Sequence, residues 1–232
     1  MNEKFYLGTY TKRDSKGVYS VLLNKETEQL EALTLEATIE NPTYLSYSKA
    51  DHLLFAVGKG DELCGISAND AQVSPLLPLA SYADQQAVPC YIRYHEKTGD
   101  VLTANYHGGF VELYHYDKEA NSFTFVDKKV HTGSSVHANQ TSPHVHYTDY
   151  TPDEKWIVVC DLGIDTVFTY KRTETGLEEV SQYKTKAGSG PRHITFHPTL
   201  PIAYLICELD ATVEMLSYDK ENGTFTNLDK IA

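Results

Sequence analysis

The chain has 232 residues and a formal net charge of −12, and this length suits one large domain or two small ones with a substantial core. The acidic balance argues against nucleic acid or an anionic membrane surface as a partner. No apolar run approaches the ~20 residues of a transmembrane helix. The start "MNEKFYLGTY" also lacks the apolar stretch of a signal peptide. We therefore expect a soluble cytoplasmic protein, and its 17 tyrosines favour sheet over helix.

Residues 1–40 predict three strands, "KFYLGTYT", "GVYSVLLN" and "LEALTLEAT". Each of the four segments that follow begins with a proline and continues with a short strand, a polar turn and a second apolar strand; the prolines are Pro42, Pro89, Pro143 and Pro191. A third strand, a turn rich in Asn, Asp or Gly, and a fourth strand then follow, as in "FVELYHYD", "KEAN" and "SFTFVDKKV". Such turns between alternating strands indicate hairpins.

Four antiparallel strands in about 45 residues form the unit of a β-propeller blade. A β-sandwich of similar strand count would not repeat a proline-started unit so regularly. We therefore predict an all-β protein, a β-propeller of four-stranded blades that forms a single domain over residues 1–232. The predicted repeats are approximately 1–40 (partial), 41–87, 88–141, 142–189 and 190–232.

The polar residues of the predicted blades recur at the ends of strands. In an antiparallel hairpin the start of the first strand lies beside the end of the second. Arg192 and His193 start an innermost strand and Glu208 ends its neighbour, so we expect all three at one mouth of the central channel. In the two preceding blades we expect the same place to be taken by His144, which is matched to Arg192, and by His146, Asp161, Asn105 and His107.

Each of these residues also has a purely structural interpretation. Arg192 and Glu208 could form only an inter-strand ion pair, and Asp161 could cap the turn that follows it. His193 and His197 could be hydrogen-bonded strand residues. Four further histidines fall on outer strands or loops and are expected to be solvated: His95, His115, His131 and His137. The coincidence of histidines, an arginine and carboxylates at one end of adjacent blades favours the functional interpretation.

Metal and cofactor sites are not predicted. The imidazoles of "PHVH" share a strand face and could meet at a metal, but no third ligand is clearly placed. The four cysteines (Cys64, Cys90, Cys160 and Cys207) form no C-x-x-C pair, which argues against zinc or a disulfide framework. The templates of serine hydrolases, P-loop proteins and zinc proteases are also absent from the sequence.

The chain resembles the propeller lactonases of the 6-phosphogluconolactonase type over nearly its whole length. The matching stretches are "YLGTYTKRDSKGVYSV" (Tyr6–Val21), "ANYHGGFVELY" (Ala104–Tyr114), "SPHVH" (Ser142–His146), "CDLGIDTV" (Cys160–Val167) and "GPRHITFHP…CELDATVEMLSYD" (Gly190–Asp219). The resemblance implies a seven-bladed propeller that opens the lactone ring of phosphogluconolactone in the pentose phosphate pathway of glucose metabolism. A muconate-lactonizing cyclase of the same fold is a related alternative.

The resemblance implies catalytic roles for His144, Arg192 and Glu208. Cys207 stands where family members usually have Asn. Family members continue for about two further blades, and a later arginine that they supply has no counterpart here. We therefore expect a C-terminally truncated member that covers about five blades.

The chemistry expected at these residues is hydrolysis of a small anionic lactone by activated water, without cofactor or metal. An unperturbed imidazole titrates near ~6.5, so a histidine such as His144 suits a general base at neutral pH. Arg192 would hold an anionic group or stabilise the oxyanion. Glu208 would orient Arg192 or His193, or share the proton transfer. His146, His193, Asn105, His107 and Asp161 would contact the substrate. A non-catalytic propeller that binds a sugar acid or a protein partner is the alternative of a different class.

Overall fold

The computed structural model describes residues 2–59, 64–84 and 87–232. The regular structure in these residues is almost entirely β, with one turn of 3₁₀ helix at Leu162–Ile164. No helix in the described part of the chain has the length and apolarity needed to cross a membrane. The strands are β1 (Asn2–Leu7), β2 (Gly17–Asn24), β3 (Gln29–Thr38), β4 (Leu45–Ser48), β5 (Leu53–Lys59), β6 (Cys64–Asp70), β7 (Leu77–Asp84), β8 (Tyr91–His95), β9 (Asp100–Asn105), β10 (Phe110–Asp117), β11 (Ser122–Val130), β12 (Val145–Tyr150), β13 (Ile157–Asp161), β14 (Thr166–Thr173), β15 (Gly176–Lys184), β16 (Pro191–Phe196), β17 (Ile202–Cys207), β18 (Thr212–Asp219) and β19 (Thr224–Ile231).

Consecutive strands pair with one another in sheets that follow chain order. The first sheet has three strands, β1-β2-β3, and the others have four: β4 to β7, β8 to β11, β12 to β15 and β16 to β19. Pairing is antiparallel in the sheets whose register is resolved. The all-β class and the four-stranded blades predicted from the repeat are therefore confirmed. That the whole chain acts as a single domain stays a prediction.

The chain forms two compact units, the first made of residues 1–101 and 115–124 and the second of residues 102–114 and 125–232. In the first unit, an apolar cluster of Val18, Leu54, Ala56 and Leu76 fills the space beneath β2 and β5. The Phe55 ring stacks on Tyr94 with centroids 4.3 Å apart. Sheets rich in aromatic and β-branched residues pack in this way because their side chains fit a pleated surface.

In the second unit, neighbouring sheets are joined both by packing and by hydrogen bonds. Strand β16 packs against β12 and β13, and β19 packs against β15. The Trp156 indole donates to the Lys220 carbonyl oxygen at 2.9 Å, and the Ser181 hydroxyl donates to the Gly223 carbonyl oxygen at 2.7 Å. These bonds satisfy polar groups where two blades meet, so the blades of this unit hold a fixed relation to one another.

The two free cysteines of the second unit lie in its interior. Cys160 and Cys207 are fully buried at the ends of β13 and β17, and Cys90, in the first unit, is half-buried. Burial raises the pKa of the Cys207 thiol to about 12. These two thiols therefore behave as small apolar side chains. The side chain of Cys64 lies outside the described residues.

Burial alternates along β17, so one strand offers a matched test of packing. Leu205 is fully buried, whereas the adjacent Ile206 is 47% exposed. We expect Leu205→Ala to lower the free energy of unfolding by about 2–5 kcal/mol, because it removes packed methyl groups and leaves a cavity. Ile206→Ala should change it much less. Urea unfolding followed by the fluorescence of Trp156, the single tryptophan, measures both; equal effects would contradict this account of the blade.

Candidate functional site

The His144 ring lies at the start of β12 and is held by contacts on two sides. Its Nδ1 donates to the Tyr106 carbonyl oxygen at 2.9 Å. Its ring stacks on the Tyr106 ring, with centroids 4.2 Å apart and planes 9° from parallel. Because the acceptor is a carbonyl oxygen, the proton resides on Nδ1, and Nε2 keeps the basic lone pair of the imidazole. His144 is thus oriented as a potential proton acceptor.

A second imidazole pair lies beside this ring. Nδ1 of His146 and Nε2 of His193 are 3.1 Å apart, which joins the start of β12 to the start of β16. The His146 ring also meets the Tyr106 ring edge-on at 5.9 Å. The structure therefore brings His144 and His146 to one tyrosine, and His193 to His146.

Burial and a nearby cation keep this imidazole pair uncharged. Burial, the Arg192 guanidinium and the His193 ring lower the pKa of His146 to about 3. Burial and the same guanidinium lower the pKa of His193 to about 4. Desolvation penalises the charged imidazole, and a neighbouring positive charge adds to that penalty. Both rings are neutral at pH 7 and can act as hydrogen-bonding groups, although not as proton carriers.

Arg192 and Glu208 meet at the same end of the β16–β17 hairpin. The Arg192 guanidinium is paired with the Glu208 carboxylate, and both side chains are partly exposed. A surface ion pair of this kind contributes little to stability. The ion pair lies beside two uncharged imidazoles, and in it the Glu208 carboxylate fixes the direction of the Arg192 guanidinium.

The strand register differs from the match that the prolines suggested. Val145 pairs with Asp161, and Pro191 pairs with Cys207. A β-bulge follows Val145 in β12 and Pro191 in β16, so the extra residues are His146 and Arg192. Arg192 is thus the structural equivalent of His146. The equivalence of Arg192 with His144 that the sequence suggested was wrong. Bulges commonly re-aim a side chain beside a functional site.

The turn between β9 and β10 supplies the aromatic platform. Asn105 is buried, and its side-chain oxygen accepts from the Gly108 amide at 2.8 Å, which shapes the turn. His107 is exposed and meets the Tyr106 ring edge-on at 5.3 Å. Tyr106 was missed in the sequence, although an aromatic residue between Asn105 and His107 was a usable signal.

Asp161 lies beneath the cluster and is fully buried. One carboxylate oxygen accepts from the backbone amides of His144 at 2.7 Å and Gly163 at 3.0 Å. The other is 2.6 Å from Nδ1 of His131. Asp161 therefore caps the turn after β13, one of the two roles expected for it. The expectation that His131 is solvated was wrong, since it is 7% exposed and bonded at both nitrogens.

Two concavities lie in the described part of the chain, and His131 and Tyr170 are among the residues that line the second. One of about 800 Å³ is lined by residues of β3, β6 and β7 in the first unit, and one of about 470 Å³ is lined by residues of β11, β14 and β15 in the second. Neither is lined by His144, Arg192 or Glu208. The candidate site is therefore identified by the convergence of polar side chains and not by a deep pocket. Among the described residues, no group of three or more His, Cys, Asp or Glu side chains could hold a metal ion.

Comparison with known proteins gives consistent matches. A family model described as "Lactonase, 7-bladed beta-propeller" matches residues 4–232. A protein of Lactococcus lactis subsp. cremoris is 42% identical over 233 residues, which cover 100% of this chain and 67% of that protein. The 6-phosphogluconolactonase of Bacillus subtilis is 34% identical over 98% of this chain and 66% of its own length. The solved periplasmic gluconolactonase PpgL of Pseudomonas aeruginosa superposes with a TM-score of 0.90 at 26% identity, covering 99% of this chain and 68% of that one.

The uncharged imidazole pair makes a prediction about pH. An unfolded histidine titrates near ~6.5, whereas the pKa is about 3 for His146 and about 4 for His193 in the folded chain. As pH falls below ~6.5, the unfolded state gains protons that the folded state does not, so stability should decrease between about pH 6.5 and pH 4. Histidine-labelled NMR titration measures the two rings directly. Arg192→Leu should raise the pKa of both His146 and His193. Titration of the His146 ring near neutral pH in the parent protein would contradict this electrostatic account.

Proposed function

Because the chain belongs to the lactonase family of seven-bladed β-propellers, we propose that it hydrolyses a sugar-acid lactone, specifically 6-phosphogluconolactone to 6-phosphogluconate. The named relative from Bacillus subtilis supports this substrate. The chain spans about two thirds of the length of the curated relatives it matches. The proposal therefore concerns the activity of the whole protein, to which this chain contributes His144, Arg192 and Glu208.

The observation that carries the proposal is the fixed orientation of His144. Its Nδ1 proton is donated to the Tyr106 carbonyl oxygen and its ring is stacked on the Tyr106 ring, so its basic Nε2 points away from that contact. Because the His144 ring is already held in one orientation, it needs no reorganisation when it activates a water molecule. The Arg192 and Glu208 pair, in the adjacent blade, supplies charge at the same end of the strands.

In the proposed reaction, His144 acts as the general base. Nε2 takes a proton from water while the water oxygen forms a bond to the lactone carbonyl carbon, and the carbonyl oxygen becomes an oxyanion. Collapse of this intermediate breaks the bond between the carbonyl carbon and the ring oxygen. His144 then returns its proton to the departing ring oxygen, which becomes a hydroxyl group, and the acid is released.

Arg192 stabilises negative charge in this scheme. A guanidinium offers directed, charge-assisted hydrogen bonds to an oxyanion or to an anionic group of the substrate. Glu208 fixes the guanidinium through their ion pair. His146 and His193, neutral at pH 7, would hydrogen-bond substrate hydroxyls, and the exposed His107 would contact the substrate at the rim.

Asn105 and Asp161, which are both buried, have supporting roles in the proposal. Asn105 shapes the turn that presents Tyr106, through its bond to the Gly108 amide. Asp161 acts from below, since its carboxylate is fully buried and accepts from the His144 amide. Neither requires direct contact with the lactone.

Removal of the guanidinium tests the catalytic assignment. We expect Arg192→Ala to lower kcat/KM by about 10²-fold, because a preorganised donor to the developing oxyanion is lost. Lactone consumption followed by pH-stat, with spontaneous hydrolysis subtracted, measures the effect. Lys171→Ala is the matched control, since Lys171 is an exposed cation on β14.

The same assay separates the alternatives. Retention of kcat/KM within a few-fold in Arg192→Ala would make the ion pair with Glu208 purely structural. Absence of hydrolysis above the spontaneous rate by the parent protein would favour the non-catalytic binding function. Parallel assays with the phosphorylated and unphosphorylated lactone establish whether the phosphate is required.

A further inference from the structure

Asp161, which accepts from the His144 amide, belongs to a buried series of three hydrogen-bonded side chains. Asp161 is bonded to His131 at 2.6 Å, and the second nitrogen of His131 is 2.9 Å from the Tyr170 hydroxyl. All three side chains are buried. A buried polar network of this kind is costly unless every member is satisfied, so its presence calls for a specific use.

The bonds in this series hold the imidazole at both of its nitrogens. Nδ1 of His131 donates to the Asp161 carboxylate, since a carboxylate oxygen accepts. Nε2 of His131 is hydrogen-bonded to the Tyr170 hydroxyl, and burial raises the pKa of Tyr170, so that its phenol keeps its proton. His131 is also packed against the Phe168 ring, with centroids 4.0 Å apart. The imidazole is therefore fixed in position, and it fixes one oxygen of the carboxylate.

The other oxygen of Asp161 acts on the segment that carries the base. It accepts from the His144 backbone amide at 2.7 Å and from the Gly163 amide at 3.0 Å. A side chain at Gly163 would collide with the Ser142 carbonyl oxygen, so the turn and the His144 segment are in close contact. Asp161 thus ties the start of β12 to the turn after β13.

The next blade lacks this connection. The register places Cys207 at the position of Asp161 and Gly190 at the position of His144. The Gly190 amide donates instead to Asp165, at 2.8 Å. In the blade that presents His144, the carboxylate at the start of the inner strand is thus held by a buried histidine, whereas in the next blade the carboxylate of Asp165 is bonded to Ser135 and Gln140.

We propose that His131 and Asp161 are positioning residues that hold His144 so that its Nε2 faces the lactone carbonyl. The inference rests on the proposed function, because it assigns these residues to the same reaction. His131 acts through Asp161, and Asp161 acts through the His144 backbone amide; neither contacts the substrate. Loss of the pair should therefore reduce kcat and leave KM nearly unchanged.

Three variants separate this role from a contribution to folding alone. His131→Leu removes both ring nitrogens, and His131→Asn restores a donor close to the place of Nδ1. His115→Asn is the control, because His115 is an exposed histidine on β10. We expect His131→Leu to lower kcat by about tenfold or more, since small displacements of a catalytic group cost this much, with KM within about three-fold of the parent. His131→Asn should recover most of the lost kcat.

A variant that does not fold is replaced by an isosteric one. If circular dichroism shows that His131→Leu is unfolded at the assay temperature, Asp161→Asn takes its place, because it keeps the shape and weakens the bond to the His144 amide. The same loss of kcat at constant KM is expected. Unchanged kcat in the folded variant, a rise of KM that accounts for the loss, or His131→Asn no better than His131→Leu would overturn the proposal.

A measurement without substrate keeps this inference distinct from the proposed function. Hydrogen exchange of the His144 amide should be faster in His131→Leu, or in Asp161→Asn, than in the parent and in His115→Asn. A parent protein that is inactive on lactones refutes the proposed function and with it the catalytic role of the pair. An active parent whose His144 amide exchanges at the same rate in all variants refutes the positioning role alone.

Discussion

Antiparallel pairing between the first and second strands of a blade is the constraint on which the candidate site depends. It places the start of one strand beside the end of the other, as shown by the bonds from Leu162 N to His144 O at 3.0 Å and from Glu208 N to Gly190 O at 2.8 Å. Residues far apart in sequence thereby reach the same end of the sheet. Repetition of the hairpin in neighbouring blades of the second unit then assembles the polar cluster without any additional structural element.

A bulge in the first strand of each of the last two blades, β12 and β16, gives the candidate site unusual electrostatics. His146 and Arg192 are the extra residues of these bulges. Their side chains come close enough for the guanidinium to act on the imidazoles of His146 and His193, whose pKa values it lowers together with burial. The guanidinium is itself paired with the Glu208 carboxylate, so an ion pair lies beside two uncharged imidazoles at this end of the strands.

The proposed chemistry depends on departures from the repeat. Equivalent positions hold Asp161 in one blade and Cys207 in the next, and their environments differ. The carboxylate accepts three hydrogen bonds, whereas burial, together with the nearby Glu214 and Asp210 carboxylates, raises the pKa of the thiol. Equivalent places also hold His146 and Arg192. A repeat stabilises every blade by the same pairing, so single positions are free to differ where their side chains meet at the common end.

The sequence by itself determined the blades, because period-2 alternation and turn residues are local signals that each strand carries in full. It also placed Arg192 beside Glu208, since hairpin pairing follows from chain order alone. Their catalytic role, with that of His144, stays a prediction. Only the tertiary structure decided the structural equivalence of Arg192 and His146. A bulge is a property of two paired strands, so the sequence of either strand alone does not reveal it. The burial of His131 was likewise decided by its partners Asp161 and Tyr170, which lie 30 and 39 residues away in the chain; long-range pairing, and not local pattern, determines whether a polar side chain is solvated or enclosed.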